Sequence, residues 1–455
     1  MKLSRRILAV LCIVLTLTLL MTACGSSSKE QPDTKSKEDS VQKDDKPAEV
    51  EKTQEQAPKK EANITVTYMQ SGTYDNAAKD VAEQLKSEGI NVKVEAFPWA
   101  VLRQKNTTDI VAGSFNYDVM SGSYYLVDIY PHFTPLKTYM DTSNYADGLI
   151  PGILDKCEKF NGETVGAPYG VDCYGIIYRT DIFEQAGIQP PKTWDEFNKN
   201  LEILKQKLPK DIHPYAFAAG ANEQLLGLFT PRYSGYYISK DGKYQIESDK
   251  AVQVVKDIAN TFKYGPSNIN ALSIDQANAL FLQGKVAIIE GWPSFIIGQA
   301  IDTEKSQVVG KWGVAAYPKG GFSWLSLWNL FIPKESKNPE AAWKWIETYT
   351  SEKNATAQFV KYGIGSCYTS SYSNQDVVDK YGASYLQGQV ENIKIAKNPP
   401  LSGEAQDVFN KTLGDVFIGK ISAEEAIKRI NEKWASLTVP ESTLQSAQND
   451  GLQEK

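Results

Sequence analysis

Tyrosine and tryptophan stand beside small polar and acidic side chains at four places in this chain. The first is Gln70, Ser71, Thr73 and Tyr74, and the second is Ser121, Ser123, Tyr124 and Tyr125. The third is Tyr169, Asp172 and Tyr174. The fourth is Glu290, Gly291 and Trp292, with Trp324, Trp328 and Asn329 further on. This mixture suits carbohydrate. A sugar shows hydroxyls at its ring edge and C–H bonds on its faces, so a receptor needs flat aromatic rings and planar polar groups together. Buried polar partners also reject a ligand that lacks the matching hydroxyl. With 24 tyrosines and 9 tryptophans, the chain is rich in the aromatic half of that requirement.

The same carboxylates, Asp172 and Glu290, are residue types that a glycoside hydrolase pairs across a scissile bond, so a hydrolase is the rival reading. Yet the chain has no Gly-x-Ser-x-Gly elbow, no His-Glu-x-x-His and no P-loop. Its two histidines, His132 and His213, lie beside prolines and read as turn or surface residues. Cys157, Cys173 and Cys367 lack metal-ligand spacing. The expectation is a binding protein without metal or cofactor, not an enzyme.

The elements that must position these residues alternate between strand and helix. Ile64, Val66 and Tyr68 alternate as a strand, then Ala78, Val81, Ala82 and Leu85 recur at helical spacing, and Gly89 ends that helix. Ile90, Val92, Val94 and Ala96 form a second strand, which a helical crossover makes parallel to the first. Residues 117–120 and 286–289 read as short buried strands. Pro293 follows Trp292 and breaks the latter strand, placing the indole in a loop. Thr193 with Glu196, Ser273 with Gln276, and Ser422 with Glu425 have capping-box spacing. Ser248 is expected to cap a helix facing inward through Val252, Val255 and Ile258, and Asn338-Pro339 opens another. Asp241-Gly242 signals a hairpin. Trp194, Trp343, Trp345 and Trp434 lie on helices and are expected inside. Trp324 and Trp328 are an even offset apart, so on one strand they share a face, cleft or core. The class is α/β.

The ends carry separate signals. Lys2, Arg5 and Arg6 precede the apolar run Ile7 to Leu20, which is shorter than a bilayer-spanning helix. Thr22-Ala23-Cys24 resembles a lipobox, so residues 1–23 are expected to be a lipoprotein signal and Cys24 a lipid anchor. Residues 24–62 hold almost no large apolar side chain and read as a disordered tether. Residues 441–455 read as a flexible tail. The net charge of −6 speaks against nucleic acid. Cys12 leaves with the signal. One disulfide plus a thiol, or three buried thiols, both fit Cys157, Cys173 and Cys367.

Gly170-Val171-Asp172-Cys173-Tyr174-Gly175-Ile176-Ile177-Tyr178-Arg179-Thr180-Asp181-Ile182-Phe183, followed by Ala186-Gly187-Ile188 and Pro191-Lys192-Thr193-Trp194-Asp195-Glu196-Phe197, resembles the signature of bacterial extracellular solute-binding protein family 1. Phe281 to Trp292, Ile332 to Trp343 and Gly419 to Ala426 resemble further segments of that family in the same order. The resemblance implies a periplasmic-binding-protein-like type II fold: two α/β lobes joined by crossing strands, with a ligand cleft between. Lobe one would take residues 63–169 with 323–363, and lobe two residues 170–322 with 364–440. It implies an extracytoplasmic receptor of an ABC importer that captures a mono- or oligosaccharide by lobe closure. The receptor would hand its ligand to permease subunits and work as a monomer at the outer face of the membrane. Other solutes, such as a polyamine or peptide, stay open. The expected ligand contacts are Gln70, Ser71, Tyr74, Ser123, Tyr124, Tyr125, Tyr169, Asp172, Tyr174, Glu290, Trp292 and Trp328. Trp292 stands where the family's tryptophan stacks on ligand. Asn222 and Glu223 are further, weaker candidates.

Overall fold

Two main sheets, each packed with its own helices, and one small two-stranded sheet build the molecule, whose computed structural model describes residues 61–220 and 225–455. The signal segment, Cys24, nearly all of the tether, Asn222 and Glu223 lie outside the described residues.

The strands in chain order are β1 (Ala62–Met69), β2 (Ile90–Phe97), β3 (Val119–Gly122), β4 (Lys159–Phe160), β5 (Glu163–Thr164), β6 (Ala167–Cys173), β7 (Gly175–Arg179), β8 (His213–Phe217), β9 (Val286–Gly291), β10 (Trp312–Ala315) and β11 (Leu325–Phe331). The first sheet has the order β2-β1-β3-β11-β6, and the second β10-β7-β9-β8. β1 runs parallel to β2 in the register Ile64 to Val92 and Val66 to Val94, as the sequence pattern requires. The helix Tyr74–Leu85 buries Ala77, Ala78, Val81, Ala82 and Leu85 between them. Gly89, at φ +81°, turns the chain from that helix into β2, a conformation that glycine adopts without a Cβ clash.

The chain passes from the first sheet to the second at β6–β7, with only Tyr174 between the two strands. It returns between β10 and β11. The first apolar core gathers residues from Ile64 to Tyr169 and from Trp328 to Ile364, and the second begins at Tyr174. A small third core lies where the crossings meet, and all three cysteines of the body sit in it. Cys157, Cys173 and Cys367 are buried free thiols. Burial pushes the Cys367 thiol up to about 12, so it is a packing residue and not a nucleophile.

Local signals decided most helix starts. Thr193 accepts the Glu196 amide, Ser422 accepts the Glu425 amide, and Ser273 and Gln276 form a full capping box. Ser248 is already the first helical residue, one place later than a cap. Trp343, Trp345 and Trp434 are buried, and Trp194 packs half-buried against the second core. Two expectations need correction. Trp324 and Trp328 do not share a face: Trp324 precedes β11 and joins the second core, while Trp328 joins the first. The crossing falls between them, which an even offset cannot reveal. Residues 441–455 are no loose tail. The helix Glu441–Asn449 buries Ala447, Leu452 packs into the second core, and the Tyr237 amide donates to the Leu452 carbonyl at 2.8 Å. Leu444, Ala447 and Leu452, three apolar anchors spaced over nine residues, were too sparse to stand out in a polar stretch. Among the described residues, no helix is long and apolar enough to cross a membrane.

Gly365 marks the third crossing. A Cβ there would stand 2.1 Å from the Val171 carbonyl oxygen, a backbone atom that cannot swing away. Gly365→Ala is therefore expected to destabilise the protein by about 1–3 kcal/mol, read as a lower urea midpoint. An unchanged midpoint would mean that the hinge backbone yields freely.

Candidate ligand-binding cleft

The loops that follow the strand ends bring six of the expected residues and Trp324 into one continuous path of aromatic rings. Tyr74 packs on Trp328 at 5.3 Å between ring centroids, and Trp328 meets Tyr125 at 6.2 Å. Tyr125 meets Tyr124 at 5.9 Å, and Tyr124 meets Trp324 at 6.2 Å. Trp324 lies 5.5 Å from Trp292, which meets Tyr174 edge-on at 5.3 Å. The path starts in the first core and ends in the second. Tyr124 packs against both. Edge-to-face and tilted contacts at these distances suit the ring quadrupole and hold each ring in place.

The polar residues divide into groups. Ser123 is buried, and its hydroxyl donates to the Leu327 carbonyl at 2.8 Å, fixing the turn that carries Tyr124. Tyr169 lies behind Tyr74, and its hydroxyl shares a 2.8 Å bond with Ser121. Gln70 and Ser71 are exposed, and the Ser71 hydroxyl sits 2.7 Å from that of Thr73. Asp172 is buried on the crossing strand β6. Its Oδ1 accepts from Gln389 Nε2 at 2.5 Å and from the Cys173 amide at 2.9 Å, and its Oδ2 accepts from the Ser294 amide at 3.0 Å. Burial pushes its carboxyl up to about 6, although these donors favour the charged form. Asp172 thereby ties the crossing strand to the loop just after Trp292.

Glu290 is placed differently from the expectation that it faces ligand. Its carboxylate is wholly enclosed in the second core. It accepts from Arg232 at 2.6 and 2.9 Å, from the Tyr317 hydroxyl at 2.9 Å, and from the Tyr215 hydroxyl. Strand β9 is buried along its whole length, and Glu290 meets its partners inside the second core. Arg232 in turn stacks on Trp194, 4.1 Å from the ring centre.

Sequence reasoning missed three residues. Trp99 and Phe295 are the most exposed aromatic side chains among the described residues, at 45% and 46%. Trp99 opens the helix Trp99–Val111 and packs edge-on against Tyr125 at 5.7 Å. Phe295 follows Trp292 by three residues in the loop that Pro293 starts. Their signals were Pro98 and Pro293, which break the chain beside an aromatic residue. The third is Arg103, on the same helix as Trp99. Its guanidinium lies where a side chain at Gly403 would stand, against the start of the helix Gly403–Phe417. Arg179, Arg232 and Arg429 are each ion-paired, whereas the Arg103 side chain has no ion pair or hydrogen bond among the described residues.

Trp99→Ala and Phe295→Ala should leave stability within about 0.5 kcal/mol of the parent, since neither side chain is buried. Each is expected to weaken ligand binding several-fold in calorimetric titration. A large fall in Tm for either would show a packing role instead.

The comparisons agree with this geometry. Residues 51–356 match the family model described as bacterial extracellular solute-binding protein. The mannitol-binding protein of Pseudomonas aeruginosa is 26% identical over 269 residues, 55% of this chain and 60% of that protein. The maltodextrin-binding protein of Bacillus subtilis is 25% identical over 305 residues, 60% of this chain and 67% of that one. Among solved structures, a solute-binding protein of Agrobacterium radiobacter K84 in complex with ribitol superposes with a TM-score of 0.71. It is 20% identical and covers 84% of this chain and 100% of its own. Maltose-bound T. maritima MalE3 gives a TM-score of 0.69 at 21% identity, covering 82% and 99%. The fold is the two-lobed type II binding-protein fold, and the chain belongs to the bacterial extracellular solute-binding protein family.

Proposed function

We propose that this protein captures an uncharged sugar, sugar alcohol or short oligosaccharide between its lobes and releases it unaltered to the permease of an ABC importer. The observation that carries the reading is the unbroken path of rings from Tyr74 to Tyr174, which crosses from one lobe to the other. Flat apolar faces in both jaws suit the C–H faces of a pyranose or an extended polyol. Tyr74, Tyr124, Tyr125, Trp292 and Trp328 are the stacking candidates, with Trp99 and Phe295 at the rim. Ser71, Gln70 and Arg103 are the polar candidates. The mannitol, maltodextrin and ribitol named for its relatives are of the same chemical class.

Closure follows from binding. A ligand that touches both jaws favours the closed form by its differential affinity for that form. Lobe one is assigned residues 63–169 with 323–363. Lobe two takes residues 170–322 and continues from 364 through the C-terminal helix. An extracytoplasmic monomer held by lipid at Cys24 completes the proposal. The hydrolase alternative weakens because Glu290, one of its two carboxylates, is spent on Arg232 inside the second core.

A thermal-shift screen tests this directly. Mannitol, ribitol, maltose and longer maltodextrins are compared with putrescine, small peptides and divalent metals. At least one carbohydrate is expected to raise Tm, by roughly the amount that RT ln(1 + [L]/Kd) implies. Stabilisation by amines, peptides or metals alone would end the sugar reading. Conversion of the bound sugar during incubation would end the non-enzymatic one.

A further inference from the structure

Three crossings of the chain run side by side at Asp172. It lies on β6 and pairs with Ser326 of β11, and the neighbouring Val171 amide donates to the Gly365 carbonyl at 2.9 Å. From this place its buried side chain reaches two elements packed on the second core. Gln389 Nε2, on the helix Ala383–Ile395, donates to Oδ1 at 2.5 Å, and the Ser294 amide donates to Oδ2 at 3.0 Å. Ser294 stands between Trp292 and Phe295, the two aromatic residues that this loop contributes to the proposed cleft. The ionisable groups that act on Asp172 are Cys173 on its own strand, Tyr74 on the first helix, Tyr372 on the short helix Thr369–Ser373, and Tyr385 on the helix Ala383–Ile395. Burial pushes each of them up and so keeps it neutral, and no lysine or arginine is among the groups that act on the carboxyl.

Ionisation decides how firmly these bonds hold. The charged carboxylate accepts from Gln389, from the Cys173 amide and from the Ser294 amide. Protonation removes the charge that strengthens all three and turns one oxygen into a donor. Oδ1 holds two of the bonds, so the proton takes Oδ2, and the Ser294 N–H, which cannot reverse its role, loses its acceptor. Burial pushes the carboxyl up to about 6, so the change falls in mildly acid solution. We propose that Asp172 is the positioning residue of the ligand loop: charged, it holds residues 292–295 in the binding arrangement, and protonated, it releases them, so carbohydrate is held near neutrality and given up in mild acid. The proposal rests on the carbohydrate reading of the cleft. By linkage, capture of ligand expels a proton from Asp172. The carboxyl is raised above its ordinary value, so its protonation by itself favours the folded chain. That contribution is full below the ordinary carboxylate range and is lost as pH rises through about 6. Weaker binding in acid is therefore distinct from acid unfolding of this residue's making.

Two measurements on the full chain test it. Hydrogen exchange of the amides of residues 292–296, corrected for intrinsic rates and followed without ligand, reads the loop alone. Protection is expected to fall about fivefold or more from about pH 7 to about pH 5, and Asp172→Asn should show the lower protection at both. If Asp172→Asn does not fold, Gln389→Met replaces it: one donor to the charged form is lost, and the midpoint should move to higher pH. Calorimetric titration with maltose and with mannitol reads the coupling. Kd is expected to be about fivefold or more higher at about pH 5 than at about pH 7, and the heat near pH 6 should vary with the ionisation enthalpy of the buffer as a proton is released. In Asp172→Asn, Kd should not change with pH. Equal protection at both pH values, a pH-independent Kd in the parent, or a pH dependence that survives in Asp172→Asn overturns the proposal. If no carbohydrate of the thermal-shift panel binds, the sugar reading fails, and the exchange result still decides the role of Asp172.

Discussion

Arg232→Met is expected to destabilise the second lobe by about 3–5 kcal/mol, the usual penalty for stranding one charge of a buried pair. Glu290 is wholly enclosed, and Arg232 supplies two of its hydrogen bonds. Without the guanidinium, the Tyr215 and Tyr317 hydroxyls remain as donors, but no positive charge offsets the carboxylate. Methionine keeps most of the volume on Trp194, so the loss isolates charge from packing. Urea unfolding measures it. The double variant Arg232→Met with Glu290→Gln should recover much of the loss, because no ion is then left in the core. A double variant no more stable than Arg232→Met alone would show that the guanidinium acts by shape and not by neutralising Glu290.

The second large effect is on binding. Trp292→Leu should weaken carbohydrate binding by about 10–30-fold, roughly 1.4–2 kcal/mol, through loss of one stacking face. Leucine preserves an apolar side chain between Tyr174 and Trp324, so Tm of the unliganded protein should change by only a few degrees. Calorimetric titration with the saccharide identified by thermal shift gives the affinity, and a melting curve without ligand gives the fold. Unchanged affinity with a large fall in Tm would reassign Trp292 to the core, where its 6% exposure already half places it.

Comparing these two residues shows where sequence reading reaches its limit. Glu290 and Trp292 are separated by one glycine, and both were legible as candidates. Alternation along β9 predicts that they share a face, Pro293 ends the strand just after Trp292, and both residues lie in or against the second core. Which direction is inward depends on where Arg232 and Tyr317 arrive. Both are distant in sequence, 58 and 27 residues away. Trp99 and Phe295 were overlooked for the complementary reason. A single aromatic residue after a proline has no periodicity to mark it, and its exposure is a property of the folded surface.

The sequence by itself determined the alternation of strands and helices, the parallel start of the first sheet, the capped helix starts and the family. These rest on contacts between near neighbours, which the order of residue types specifies: i to i+2 in strands, i to i+4 in helices, and one side chain to one amide at a cap. Only the tertiary structure decided that Trp324 and Trp328 part company between two cores, that Glu290 is an interior charge, that three cysteines meet at the crossings without bonding, and that the C-terminal residues form a packed helix. Each of those outcomes turns on which distant segments share a boundary. That is settled by how two separate cores close against each other, and no local spacing records it.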